Sequence, residues 1–224
     1  MKEQNVYDFL NQTLQERGVG LIAVSKTHPI EAIEALYSLG QRRFAENRVQ
    51  EMLSKAEVLP ADIEWHLIGH LQTNKVKFIA PFVSVVQSVD SLKLLQEINR
   101  QAEKNHRTIR CLLQFHIARE ETKFGFSASE ATDMFASHPP GAFPHVVFGG
   151  VMGMATFTED AEQVRAEFRT LKSIFDQLRQ AYFGNNPDFC DLSMGMSGDW
   201  QLAVEEGSTM VRIGSLLFGQ RPQN

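Results

Sequence analysis

A lysine at the end of a short apolar segment is the residue in this sequence best placed for covalent chemistry. Residues 21–24 are Leu-Ile-Ala-Val, Ser25 and Lys26 follow directly, and Pro29 interrupts the chain soon afterwards. Such a run is typical of a strand buried in a parallel sheet. Ligands bind at the carboxyl ends of these strands, where partial desolvation frees a lysine amine to attack a carbonyl. Lys26 is therefore a candidate nucleophile, and the segment fits equally a lysine that only extends into water.

Two glycine-rich segments near the carboxyl terminus could hold a phosphate. The first is residues 193–198, which include Ser197, and the second is the pair Gly214 and Ser215. In (β/α)₈ barrels the loops after the seventh and eighth strands commonly bind phosphate, and backbone N–H groups at helix N-termini favour anions. Ser197 could instead cap the following helix, although an N-cap hydroxyl can also face an anion.

An arginine lies within the last apolar segment, directly before the second glycine-rich pair. Arg212 is flanked by Val211 and Ile213, and a buried arginine needs a partner. That partner could be a ligand phosphate, a ligand ring nitrogen or a buried carboxylate such as Glu46. With Lys26 and the phosphate-binding loops, the set predicts a phosphorylated carbonyl ligand. Pyridoxal 5′-phosphate (PLP) fits, and so does the sugar phosphate of a Schiff-base aldolase.

Two histidines with a spacing of four residues raise the question of a metal site. His66 lies in the predicted strand at residues 65–68, Gly69 ends that strand, and His70 follows. The pair therefore does not share a helix face, and no HExxH glutamate lies between the two residues. We predict no metal here, with His66 pointing into the barrel mouth and His70 in the next loop.

The elements that must position these residues alternate between strand and helix along the chain. Segments with helical spacing of apolar residues separate the predicted strands, which are residues 21–27, 43–46, 65–68, 82–87, 109–117, 145–152, 189–193 and 210–213. About eight such units predict a parallel sheet with helical crossovers. Since no long linker or composition break interrupts them, a closed (β/α)₈ barrel forming one domain over residues 1–224 is favoured over an open sheet.

Composition and charge exclude several classes of function. Apolar residues make up 43% of the chain and the net charge is −5, which argues against nucleic acid as the main partner. Cys111 and Cys190 lie far apart in the sequence, as expected in a reducing compartment. No segment approaches the roughly 20 apolar residues of a membrane span, and the amino terminus lacks a signal-peptide core. The sequence predicts a soluble, cytoplasmic protein.

Several motifs together resemble the pyridoxal phosphate homeostasis protein family, the YggS-like proteins related to the amino-terminal barrel of alanine racemase. The matching segments occur in the family's order and span nearly the whole chain: residues 23–27, 44–51, 65–69, 71–72, 74–75, 192–197, 207–214 and 218–219. The resemblance implies an alanine-racemase-like (β/α)₈ barrel with PLP as its cofactor. It also implies a monomer that holds and distributes PLP, with PLP-requiring apoenzymes as candidate recipients.

The resemblance further implies which residues hold the cofactor, position by position. Lys26 would form the Schiff base, Arg212 would face the pyridine nitrogen, and Asn47 would lie near the cofactor. The phosphate would be bound by residues of the two glycine-rich segments, namely Ser197, Gly214 and Ser215.

The same residues predict a binding protein without robust catalysis. An arginine opposite the pyridine nitrogen, unlike a carboxylate, disfavours protonation of that nitrogen and weakens the electron sink needed for carbanion chemistry. The chain ends at Asn224, shortly after the last predicted strand, so we do not expect the second domain from which racemases take another acid–base residue. The alternatives are a slow amino-acid racemase that uses Lys26 as its single base, and a Schiff-base aldolase.

Overall fold

Eight parallel strands form a closed barrel in which each strand pairs with its neighbours in chain order and β8 pairs with β1. The computed structural model describes residues 2–119, 124–184 and 186–219. The strands are β1 (Gly20–Val24), β2 (Arg43–Glu46), β3 (Glu64–Leu67), β4 (Val85–Val89), β5 (Ile109–Phe115), β6 (Val146–Gly153), β7 (Asp191–Met196) and β8 (Met210–Ile213). The predicted (β/α)₈ barrel is confirmed.

Helices follow the strands and cover the outside of the barrel. They are α1 (Lys2–Glu16), α2 (Ile30–Ser38), α3 (Val49–Ala56), α4 (Val76–Ile79), α5 (Leu92–Lys104), α6 (Ala128–Ser137), α7 (Ala161–Leu178), α8 (Trp200–Glu205) and α9 (Ser215–Phe218). Local signals set several of their starts. The Ser91 hydroxyl accepts from Leu94 N at the start of α5, and Ser127 forms a capping box with Glu130 at the start of α6.

Alternating side chains divide the core into two layers. Successive residues of a strand point to opposite faces of the sheet, so one set packs outward against the helices and the other fills the barrel. The outer layer is the larger cluster and includes Phe44, Leu67 and Phe168. The inner apolar cluster consists of Ile22, Val24, Ala45, Val85, Leu112, Met152 and Met210. This alternation of side chains between the two faces decides which strand residues can reach a ligand at the barrel mouth.

Two strands lie further along the chain than the sequence predicts. The strand predicted at residues 82–87 begins only at Val85, because the N–H groups of Phe82 and Val83 both donate to Ile79 O in a tight turn after α4. The strand predicted at residues 189–193 is instead Asp191–Met196, since the N–H of Phe189 donates to Asn186 O in another turn. Apolar residues in turns, such as Phe82 and Phe189, therefore look like the start of a strand in the sequence pattern.

Helix α7 changes its form at its carboxyl end. It is α-helical as far as Leu178 and continues as a π-helical turn over Arg179–Phe183. The short helix α9, which begins directly at Ser215, was not predicted.

The loops after β2 and β3 lie in close contact at Gly69. A Cβ atom on Gly69 would lie 2.2 Å from the backbone oxygen of Asn47, which is shorter than any real carbon–oxygen contact. The absence of a side chain at residue 69 therefore lets the Asn47 backbone lie against the next loop.

We expect Gly69→Ala to lower the free energy of unfolding by about 1–3 kcal/mol, because the backbone of one loop must move to admit the methyl group. Gly141→Ala is the matched control, since a Cβ at that position meets nothing within 4 Å, and it should stay within about 0.5 kcal/mol of the wild type. Urea unfolding measures both variants. Equal stabilities for the two would contradict the close approach.

Candidate functional site

A cavity of about 560 Å³ opens at the carboxyl ends of the strands. Its volume lies within the range of about 300–1,000 Å³ that is usual for small-molecule sites. The six residues predicted to bind a cofactor all line it: Lys26, Asn47, Ser197, Arg212, Gly214 and Ser215. The barrel therefore brings together residues that are almost 190 positions apart in the sequence.

Lys26 is half-buried and lies two residues beyond the end of β1. Lys26 lies two residues after Val24 and four after Ile22, so it continues the strand face on which those two side chains lie. Both of those side chains belong to the inner cluster. The lysine thus continues the inward-facing row of β1 into the cavity, which it lines together with Val24.

Arg212 is buried in β8 and is held by hydrogen bonds within the barrel. Its guanidinium donates to Ser193 Oγ at 2.7 Å and to Gly153 O at 3.0 Å. Burial lowers the pKa of Arg212 to about 10, and the carboxylate of Asp199 opposes that shift, so the side chain is a cation at neutral pH. Glu46, the carboxylate considered as its partner, bonds to Lys55 instead, and that alternative is wrong.

A chain of buried side chains leads from Arg212 into the barrel interior. The Ser193 hydroxyl, which accepts from Arg212, donates to Gln87 Oε1 at 2.7 Å. The Gln87 amide nitrogen lies 2.8 Å from His66 Nδ1. Since the amide nitrogen can only donate, Nδ1 is the acceptor and the hydrogen of a neutral His66 is on Nε2.

His66 is 2% exposed and does not line the cavity. The expectation that it points into the barrel mouth is therefore wrong, because it lies within β3 and its side chain enters the closed interior. Burial, followed by the charges of Arg43 and Arg110, lowers the pKa of His66 to about 3. Its Nε2 atom has no hydrogen-bond partner among the residues that the structure describes.

The two glycine-rich segments meet at one side of the cavity. The N–H of Gly214 donates to Ser197 Oγ at 3.2 Å, so the serine connects the loops after β7 and β8. Ser197 is not the N-cap of α8, because that position belongs to Asp199. A Cβ on Gly214 would lie 3.2 Å from Val24 O, whereas one on Gly198 would meet only open space.

Asn47 offers the cavity a polar group that the protein itself leaves unused. Its Oδ1 atom is buried and accepts no hydrogen bond from any part of the chain that the structure describes. A buried polar atom without a partner is unfavourable, and here it belongs to a residue that lines the cavity. An amide in this state suits a ligand with hydrogen-bonding groups of its own.

Sequence reasoning missed several residues that line the cavity. His70 lies in the loop after β3, as predicted, but it also lines the cavity, bonds to Asp90 at 3.0 Å and stacks on Phe124 at 4.1 Å between ring centroids. Asp199 contributes a carboxylate that accepts from Met196 N, and burial raises its pKa. The loop at residues 154–158 follows β6 and lines the same opening. Only their positions in segments that follow predicted strands could have indicated them.

Within the described ranges 2–119, 124–184 and 186–219, no group of three or more His, Cys, Asp and Glu side chains is arranged to hold a metal ion. No helix in these ranges is long and apolar enough to cross a membrane.

The chain is similar to known proteins along almost its whole length. The family model of the alanine racemase N-terminal domain matches residues 3–222. An Aquifex aeolicus relative named pyridoxal phosphate homeostasis protein is 42% identical over 202 residues, which cover 90% of this chain and 86% of the relative. The human protein of that name is 40% identical over 212 residues, 90% of this chain and 76% of the relative.

Solved structures share the barrel. PipY of Synechococcus elongatus, solved with PLP bound, has a TM-score of 0.86 at 34% identity and covers 97% of this chain and 100% of its own. An alanine racemase from Clostridium difficile has a TM-score of 0.76 at 16% identity, over 98% of this chain and 57% of its own. At that identity the second likeness concerns the fold alone.

The depressed pKa of His66 predicts a specific dependence of stability on pH. Below about pH 6.5 the unfolded chain takes up a proton on His66 that the folded chain binds only near pH 3. The free energy of unfolding should therefore fall with decreasing pH across that window, with His66 contributing up to roughly 1.4 kcal/mol per pH unit.

Urea unfolding between pH 6.5 and 4 tests this dependence. His66→Gln keeps an acceptor for Gln87 but does not titrate, so its stability should fall less steeply than that of the wild type. His106→Asn removes an exposed histidine and serves as the control, with the wild-type slope. The same slope for all three proteins would show that His66 does not resist protonation.

Proposed function

The chain belongs to the pyridoxal phosphate homeostasis protein family, and we propose that it holds PLP as a Schiff base on Lys26 and serves in the homeostasis of this cofactor and of amino acids. The observation that carries the proposal is the convergence of Lys26, Arg212 and the Ser197–Gly214 contact on one cavity. An amine, a fixed cation and a polar loop pair match the aldehyde, ring nitrogen and phosphate of PLP.

Each of these residues has a role that follows from its surroundings. Bound PLP supplies an aldehyde that reacts reversibly with amines and a pyridine ring that withdraws electrons. Lys26 provides the amine for the aldehyde carbon, and Asn47 offers the cofactor an amide with unused hydrogen-bonding capacity. Ser197, Gly214 and Ser215 hold the phosphate where the loops after β7 and β8 meet.

Arg212 supports a role in cofactor binding rather than fast catalysis. Its two hydrogen bonds to Ser193 and Gly153 fix the guanidinium, which remains protonated at neutral pH. A fixed cation beside the pyridine nitrogen disfavours protonation of that nitrogen and limits stabilisation of a carbanion. In this proposal the protein is a monomer that passes PLP to apoenzymes through the cavity mouth, where Phe157 is 97% exposed and Phe124 is 55% exposed.

One observation favours slow racemisation as the second candidate function. His70 is oriented by Asp90 and lines the same cavity as Lys26, so an imidazole is available there for proton transfer with a bound amino acid. The Schiff-base aldolase remains the third candidate and requires sugar-phosphate cleavage without PLP.

Lys26→Ala should abolish the covalent link to PLP and leave only weak binding through the phosphate-binding loops. The purified wild type is mixed with PLP, its absorbance spectrum is recorded, and the adduct is reduced with borohydride and mapped by peptide mass. We expect the phosphopyridoxyl group on Lys26, and Lys93→Ala, which removes an exposed lysine, should retain it. An adduct scattered over surface lysines would overturn the proposal and direct attention to sugar phosphates.

The candidate of slow racemisation is separated by measuring alanine turnover and exchange of its α-hydrogen in heavy water. We expect rates in the PLP-loaded protein to be close to those of free PLP, and unchanged in His70→Gln. Substantial rates that require both Lys26 and His70 would instead establish the racemase activity.

A further inference from the structure

A buried ionic cluster lies behind Lys26, between the ends of β1 and β2 and helix α3. It consists of Ser25, Glu46, Glu51 and Lys55 and is called here the Lys55 cluster. We propose that Lys55 is a positioning residue that, through Glu46 and Glu51, holds the turn carrying Lys26 in the conformation that binds PLP. The inference rests on the proposed function, in which Lys26 is the point of attachment.

The ammonium group of Lys55 joins three acceptors from different segments. Its Nζ donates to Ser25 O at 2.8 Å, to Glu46 Oε1 at 2.7 Å and to Glu51 Oε1 at 2.7 Å. The three hydrogens of a lysine ammonium are thus matched by three acceptors. The Lys55 side chain is 6% exposed and that of Glu46 is fully buried, so water competes little for these bonds.

The two carboxylates hold the residues on both sides of Lys26. The Ser25 hydroxyl donates to Glu46 Oε1 at 2.7 Å, and the Thr27 backbone N–H donates to Glu51 Oε1 at 2.5 Å. Lys55 joins these carboxylates and bonds the backbone of Ser25 as well. The turn is therefore fixed immediately before and immediately after the lysine that lines the cavity.

The backbone at this turn needs such support. Thr27 has φ of +66°, in the left-handed region that a β-branched residue rarely adopts. A conformation of this kind persists only where the surrounding structure holds it. The hydrogen bond from Thr27 N to Glu51 is the contact in this cluster that acts directly on the strained residue.

Stability alone is a weaker explanation for the cluster. A buried ion pair often stabilises a fold no more than well-packed apolar residues of similar volume would. Helix α3 already packs through Val49 and Met52. The bonds of the Lys55 cluster instead converge on the backbone of Ser25 and Thr27, which adjoin the site residue.

Hydrogen exchange in the protein without PLP tests the anchoring by itself. In Glu51→Ala the Thr27 amide loses its charged acceptor and should exchange about tenfold to a hundredfold faster, as measured by NMR. Glu57→Ala removes an exposed glutamate at the end of the same helix and should leave the rate unchanged. An unchanged Thr27 rate in Glu51→Ala would overturn the inference.

PLP binding then tests the consequence for the site. We expect Glu51→Ala and Lys55→Met to weaken PLP binding at least about tenfold. Both variants should also lower the fraction of Lys26 that borohydride traps as the PLP adduct. In addition, both should shift the pH midpoint at which the absorbance spectrum of the PLP-loaded protein changes. Lys93→Met and Glu57→Ala are the controls and should match the wild type. Should Lys55→Met fail to fold, Glu51→Ala decides, because the Glu51 side chain is 23% exposed.

Adding Thr27→Gly to Glu51→Ala separates positioning from general stability. Glycine adopts a φ of +66° without steric strain, so the double variant should recover part of the lost PLP affinity. Absence of any recovery would overturn the claim that the strained turn is what the cluster supports. A wild type without an adduct on Lys26 refutes the proposed function, whereas a normal wild type with equally normal Lys55→Met and Glu51→Ala variants refutes this inference alone.

Discussion

Strand parity in the closed barrel is the constraint on which the site depends. Closing eight parallel strands sends every second side chain of each strand into one shared interior. In β1 this row runs from Ile22 through Val24 to Lys26, and in β8 it runs from Met210 to Arg212. In these two strands the inward-facing row begins with apolar side chains and ends with a cation. A shift of one residue in either strand would turn the lysine or the arginine toward the helices.

Lys55 and Arg212 are both buried but are satisfied in different ways, and each arrangement suits its place. Lys55 bonds two carboxylates and a carbonyl oxygen on the outer face of the barrel, where it can stiffen the backbone behind Lys26. Arg212 bonds a hydroxyl and a carbonyl oxygen on the inner face, and no carboxylate in the part of the chain that the structure describes bonds directly to it. A cation held in this way keeps its electrostatic effect available to a ligand.

Much of the fold and part of the site follow from the sequence. The apolar run before Lys26 predicts a buried strand, and the family motifs place the six proposed cofactor residues that the barrel brings to one cavity. The sequence pattern places the starts of β4 and β7 too early, because Phe82 and Phe189 are apolar residues in turns. Phe189, for example, is fully buried against Phe183, with ring centroids 4.0 Å apart. Periodicity records burial, and it does not separate a buried turn from a strand.

Contacts that form only when the barrel closes could not be predicted from the sequence. Lys55 lies on helix α3. The sequence pattern of that helix does not indicate that Lys55 Nζ lies 2.7 Å from Glu46 Oε1. His70 and Asp90 meet only because the loops after β3 and β4 lie side by side at the barrel mouth. The hydrogen bonds of Ser193 to Gln87 and Arg212 could not be predicted either. They depend on the observed position of β7, Asp191–Met196, which differs from the predicted one.

The chain from Arg212 to His66 has a direction, and this direction bears on how protons reach the cavity. Every link donates away from the arginine: guanidinium to Ser193, hydroxyl to Gln87, amide to the imidazole. Passing a proton along it would require a guanidinium to lose its charge and a carboxamide to act as a relay, and neither group does so readily. The hydrogen-bonded chain beneath the cavity therefore does not conduct protons readily. The cavity thus has no ready proton path into the barrel interior through this chain, whereas His70, whose side chain is 41% exposed, lies on its solvent-accessible side.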